Sequence, residues 1–201
     1  MSTLRRRQSS YHHGDLQAAL IRAAGKMLEK EGVEALKLRE LARRAGVSHN
    51  APYRHFPQRE ALLAALAAEG FEWLGAAQRK AAQVGGLRGM GEAYVGFALA
   101  HPQRFRLMFG GQIPIAKHAR LREVATRTFD GLSGALAARV PEAQGARDSS
   151  LAAWALVHGL ALLLMGDRIA PAAIGGRDRD AFVRDVLGSI RFAGRTAQPL
   201  A

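Results

Sequence analysis

Residues 46–56 read GVSHNAPYRHF and crowd a serine, an asparagine, a tyrosine, an arginine and two histidines into one short stretch. Those residue types fit three chemistries: nucleophilic catalysis, metal ligation, or the grip of a groove edge. Catalysis would set Ser48 or Tyr53 as nucleophile against His49 or His55 as base. The surrounding parts are missing, because there is no G-x-S-x-G elbow and no carboxylate marked to orient the imidazole. A metal would need His49 and His55 on one face, yet six residues of helix turn through about 600°, roughly 240° net, and point them apart. His12, His13, His101, His118 and His158 show no H-E-x-x-H or related spacing. The sequence therefore implies no catalytic centre, no metal and no cofactor.

The nucleic-acid reading uses every residue of the stretch. A short helix entering a major groove about 12 Å wide would present Ser48, His49 and Asn50 at its amino end, followed by Tyr53, Arg54 and His55. Asn and Arg suit bidentate contacts to adenine and guanine edges, while Tyr and His suit phosphate oxygens. The element before it, LRELARRAG, points Leu38, Leu41, Ala42 and Ala45 inward. Its Arg39, Glu40, Arg43 and Arg44 point outward, which puts three arginines near a DNA backbone.

These residues need positioning. Gly46 supplies the positive φ of a tight exit from the second helix, and Val47 packs beneath the turn. Ser48, or Asn50 in competition with it, is placed to cap the next helix, since Pro52 is tolerated only in a first turn. Phe56-Pro57 ends that helix. Two short helices joined by Gly-Val-Ser form a helix-turn-helix. A first amphipathic helix precedes them, with Leu16, Leu20, Ala23, Ala24, Met27 and Leu28 on one side and Gly32 as its stop. Arg5–Arg7 form a basic arm ahead of any apolar pattern.

The chain has 201 residues, a net charge of +12 and a pI of about 11.2. That charge favours a polyanionic partner. It is densest at the amino end, where residues 1–60 carry twelve Lys and Arg against six Asp and Glu. There is no cysteine, which excludes disulfides and thiolate sites and predicts a cytoplasmic protein. The start, MSTLRRRQSSYHHGD, lacks the apolar core of a secretory signal. The longest apolar run, Leu151 to Met165, falls short of the roughly 18 residues a span requires and is expected to be a buried helix, with no membrane partner.

Beyond Gln58 a long helix is expected to about Lys80, closed by Gly85-Gly86. Further helices are expected near 88–100, 102–109, 116–139, 149–168 and 178–193, and no strand alternation is visible. The fold class is all-α. The expected domains are 1–57 for DNA binding, 58–80 as a connecting helix and 81–201 for ligand binding and dimerisation. Leu151, Trp154, Leu156, Val157, Leu160, Leu162, Leu163 and Leu164 cover most of one helix, so one of its faces needs a second partner. Phe182, Val183, Val186, Leu187 and Ile190 form a seam in the last helix. Two copies could pack these helices as a four-helix bundle, which predicts a homodimer.

Residues 11–75, through YHHGDL, LRELARRAGVS, PYRHF-P and E-ALL, closely resemble the TetR-type (AcrR-like) repressors. Trp154, His158 and Gly159 resemble the WHG-type carboxy-terminal ligand-binding domain of one branch. The resemblance implies an all-helical dimer that represses transcription at a palindromic operator on double-stranded DNA until a small-molecule effector enters the carboxy-terminal domain. It places Ser48, His49, Asn50 and Arg54 at the bases and Tyr53 and His55 on phosphates. The sequence departs from the family pattern at two positions. Lys37 stands where relatives cap the second helix with Ser or Thr, a loss of about 1 kcal/mol, and is read instead as a phosphate contact. Gln58-Arg59 replaces a Ser or Asn cap followed by lysine, with Arg59 substituting as the phosphate contact.

For the effector pocket, Phe97, Phe105, Met108, Phe109, Trp154, His158 and Leu162 are the candidates, being large, mostly apolar and spread over separate helices. His158 could equally satisfy a buried carbonyl. Arg104 and Arg106 suit either an anionic ligand or a solvated face. Two other functions stay open at this stage: an effector-independent architectural DNA-binding protein, and an enzyme with its site in residues 81–201, although that region shows no nucleophile motif, metal cluster or phosphate loop.

Overall fold

The computed structural model describes residues 13–137 and 143–190. The basic arm Arg5–Arg7 and His12 lie outside the described residues. Helices form where small and unbranched residues dominate, and no strand occurs among the described residues. The chain divides into two compact units, one ending at Leu66 and one starting at Ala67.

In the first unit, α1 (His13–Glu31) buries Leu20, Ala24, Met27 and Leu28, while Arg22, Lys26 and Lys30 stay exposed at every fourth residue. A 3₁₀ turn (Val33–Ala35) leads to α2 (Leu38–Arg44), which packs on α1 through Leu38, Leu41 and Ala42. Helix α2 starts at Lys37 with no side-chain cap, as its sequence implied, and leaves through Gly46 at φ 66°. A backbone bond from the Val47 N–H to the Ala42 carbonyl (3.1 Å) closes the turn.

The next element differs from the expected capped α-helix. Residues 52–54 wind as a 3₁₀ turn (Pro52–Arg54). Neither Ser48 nor Asn50 supplies a side-chain cap; the Ser48 carbonyl accepts from the Ala51 N–H at 2.9 Å. Pro52 has no N–H to return to Ser48, and Pro57 follows too soon for regular α pitch to establish itself. Ala51, Pro52 and Phe56 are buried and hold the turn onto α2.

Helix α3 (Arg59–Ala100) begins in the first unit and continues into the second, broken at Gly86 (φ 58°, ψ −141°) where the sequence placed its glycine pair. In the second unit α4 (Pro102–Phe109) starts on Pro102 and stops at Gly110, as expected. Then come a 3₁₀ turn (Ile115–Lys117), α5 (Ala119–Ala137), α6 (Ala143–Met165), a short unanticipated α7 (Pro171–Ile174) and α8 (Arg179–Gly188). Asp178 caps α8 by accepting from the Ala181 N–H at 2.7 Å. Met90, Leu132, Leu136 and Ala153 form one core cluster, with Leu87 and Trp154 packed against it.

Two expectations about the last helices change. Helix α6 is longer than its apolar run, and the segment Arg147–Met165 is long and apolar enough by length and composition to cross a membrane. It is also less buried than expected: Leu160, Ala161 and Leu164 are covered, but Leu151, Leu162 and Leu163 are about half exposed. The α8 seam is largely used inside its own unit, where Phe182, Val183 and Leu187 are buried.

Candidate nucleic-acid interface and ligand cavity

The 3₁₀ turn and its approach form an exposed edge. Ser48, His49, Asn50, Tyr53 and Arg54 are all exposed, Tyr53 at 40%, whereas His55 is half-buried. The His49 Nδ1–H lies 3.2 Å from the Asn50 Oδ1 as its donor, and the His49 and Tyr53 rings stand 6.1 Å apart. Local aromatic and amide contacts therefore order the edge, while Arg54 has no ion-pair partner among the described residues.

The cations around it fall into three classes. Lys37, Arg39 and Arg54 are exposed and unpaired among the described residues. Arg43 and Arg44 are engaged. Arg43 donates to Glu40 at 2.6 and 2.9 Å; Arg44 donates to Glu40 at 2.6 Å and makes a two-pronged contact with Glu31. The Arg43 and Arg44 hydrogen bonds hold the Glu40 carboxyl down at about 2, so this net stays charged throughout the physiological range. Arg59 has a third use: its Nε and Nη2 donate to the Leu36 and Val33 carbonyls at 2.8 and 2.6 Å. These bonds staple the start of α3 to the 3₁₀ turn ahead of α2.

The second unit contains a cavity of about 900 Å³. Phe71, Leu74, Met90, Leu107, Phe129, Leu132 and Val157 make much of its wall. Of the residues picked from sequence, Met108, Phe109 and Trp154 line it, and Phe97, Phe105, His158 and Leu162 do not. Phe97 and Phe105 are core: Phe97 sits 5.1 Å from His101, and Phe105 stacks on His158 at 5.3 Å. Leu162 faces away, about half exposed. The pick failed at these positions because helical spacing identifies an inward face without distinguishing solid core from cavity wall.

From the wall, Trp154 and Tyr94 lead back to His158 in a hydrogen-bonded chain. The Trp154 Nε1–H donates to the Tyr94 Oη (3.2 Å), and the Tyr94 hydroxyl is left to donate to the His158 Nδ1 (2.9 Å). With the proton so assigned, His158 is neutral and carries its own proton on Nε2. Burial pushes the His158 imidazole down and the Tyr94 phenol up, so both stay uncharged. The partner of His158 is thus a phenol rather than a carbonyl.

Arg104 resolves differently from either sequence reading. It is 2% exposed, donates to Glu69 at 2.8 Å, and lies 4.2 Å from the centroid of the Trp73 ring. It is a structural cation between α4 and α3, not a ligand contact. Sequence reasoning also missed Tyr94, Gln78 and Thr128. Gln78 sits in the polar-looking run AAQRKAAQ, and nothing local marks it as buried. No cluster of His, Asp or Glu fit for a metal occurs among the described residues.

Comparison with known proteins decides the class. Residues 87–190 match the family described as "Tetracyclin repressor-like, C-terminal domain", and residues 20–66 match "Bacterial regulatory proteins, tetR family". The chain belongs to the TetR family. No curated protein matches it significantly. Among solved structures, this TetR-type chain is similar to a protein with unknown function from Rhodococcus sp. RHA1, with 35% identity, a TM-score of 0.75, and 90% of this chain and 96% of that one covered. It is also similar to the TetR family transcriptional regulator PfmR from Thermus thermophilus, with 21% identity, a TM-score of 0.57, and coverage of 84% and 94%. AibR, solved in complex with isovaleryl coenzyme A and operator DNA, shares the fold at 16% identity, a TM-score of 0.59, and coverage of 86% and 96%. This TetR-family member is a DNA-binding transcriptional regulator rather than an enzyme.

Proposed function

We propose that the protein is a cytoplasmic homodimeric repressor that binds a palindromic operator and is released when a small molecule occupies the cavity of the second unit. The observation that carries this reading is the pairing, in one chain, of an exposed edge bearing Asn50, Tyr53 and Arg54 with an apolar cavity of about 900 Å³. A cavity of that size and lining is in the range that holds a drug-sized ligand. Helix α3 is the covalent link, since it starts beside the DNA-binding turn and its later residues line the cavity.

The dimer is supported by the outer face of α6. Leu151, Leu162 and Leu163 are exposed there, and Ala155 and Gly159, small enough for close helix approach, lie on the same helix. A second copy covering that face would bury apolar area in an isologous contact. AibR, crystallised with both a small molecule and operator DNA, supports the same division of labour. For release, the effector must bind the DNA-incompetent state more tightly, because equal affinity for both states shifts nothing.

The test is selection of bound sequences from a random DNA pool with the full-length protein, followed by footprinting. An inverted repeat with a sharp footprint, bound by a species of twice the chain mass, is expected. Uniform binding to all sequences with a steep salt dependence would instead identify an architectural coat protein.

A further inference from the structure

The cavity wall, read group by group, offers very little polar capacity. Trp154 spends its N–H on the Tyr94 oxygen, and the Tyr94 hydroxyl is paired with His158. Thr128 gives its hydroxyl proton to the Val124 carbonyl at 2.8 Å, with the Phe71 carbonyl at 3.2 Å. Arg88, the charged residue among the described lining residues, has its Nε 3.3 Å from the Glu92 carboxylate, so the pair presents no net charge. Gln78 is the exception. It lines the cavity, is 6% exposed, and its amide makes no hydrogen bond with a described residue. Neither polar atom of this amide is both enclosed and unpartnered among the described residues, so the group opens onto the cavity, where a ligand's head group can take the place of solvent.

Resting on the reading that this cavity is the effector site, we infer that the effector is an uncharged, mostly apolar molecule whose single polar head, able to both donate and accept, pairs with the Gln78 amide. A carboxylate or phosphate ligand meets only Arg88, which is half exposed and already beside the Glu92 carboxylate, and burying the ligand's charge against the apolar remainder of the wall is unfavourable. A pure hydrocarbon fills the space but leaves Gln78 unsatisfied. An amide or hydroxyl on an aromatic or branched apolar body answers both conditions.

The experiment is calorimetric titration of the full-length protein with three probes sharing one body: 2-naphthamide, 2-naphthoate and 2-methylnaphthalene. The expected order is amide first, with Kd about tenfold below that of either other probe, the gap one satisfied buried hydrogen bond produces. Gln78→Leu is expected to erase the advantage of the amide over the hydrocarbon while leaving hydrocarbon binding within about twofold. Ala125→Phe, which fills the cavity, is expected to weaken all three probes. Naphthoate binding as tightly as naphthamide, or a Gln78→Leu variant that keeps the full amide preference, overturns the head-group inference and leaves the cavity reading standing. Failure of all three probes to bind, or binding untouched by Ala125→Phe, overturns the cavity reading itself.

Discussion

The exposed edge of the first unit and the cavity of the second handle charge differently. Around the 3₁₀ turn Pro52–Arg54 charge is exposed and plentiful: Glu31 and Glu40 tie down Arg43 and Arg44, while Lys37, Arg39 and Arg54 stay free among the described residues. Around the cavity charge is rare: Arg88 is the charged residue of the described lining, Arg104 is locked to Glu69 beside Trp73, and the neutral Trp154–Tyr94–His158 chain backs one wall. Exposed pairs contribute little to stability but shape the field that meets a polyanion. A buried pair contributes nothing to such a field, yet becomes a liability as soon as one partner is lost.

The sharpest way to break this contrast is Arg104→Ala, which strands Glu69 and empties the space under Trp73. It is expected to lower unfolding free energy by about 3 kcal/mol in urea titration, while Arg43→Ala leaves the unfolding midpoint nearly unchanged. A small effect of Arg104→Ala would remove the distinction between the units. Next in size, Arg54→Ala should weaken operator binding by roughly 1–3 kcal/mol and relax preference at one base pair. A uniform loss on all sequences would make Arg54 a backbone contact. Lys37→Ser restores the missing cap of α2 and should stabilise the fold by about 1 kcal/mol. It should also reduce the slope of log affinity against log salt by about one, if Lys37 meets a phosphate; an unchanged slope removes that role.

The smallest effect concerns pH. Because burial holds His158 below its ordinary value of 6.5, the unfolded chain takes up a proton at higher pH than the folded one. Stability from this group is complete above about 6.5 and declines as pH falls toward the lowered folded value. The melting temperature of the wild type should therefore drop between pH 7 and pH 5 by more than that of His158→Asn, whose amide oxygen still accepts from Tyr94.

The DNA-binding unit was legible because its determinants are local. Gly46 sets one turn, Pro52 and Pro57 bracket the reading edge, and apolar residues repeat at helical spacing through α1 and α2. Even there, a cap by Ser48 was a wrong reading, since whether a proline-bounded stretch reaches full α pitch depends on its packing against α2. The cavity was half legible. Met108, Phe109 and Trp154 were found from size and position, but Phe97 and Phe105, of the same type and spacing, fill solid core. What separates them is where α5 and α8 leave a gap, a non-local matter. Arg104 and Gln78 were misread or missed for the converse reason: polar residues in polar surroundings look solvated until the partner helix is in place.

The protein has only two indoles, and they lie in different settings. Trp73 is 42% exposed over the Arg104 guanidinium, while Trp154 forms part of the cavity wall. A Trp73→Phe variant would therefore leave a single indole, Trp154, in contact with the pocket. Its emission would report occupancy directly, so candidate effectors could be screened optically without labelling the protein.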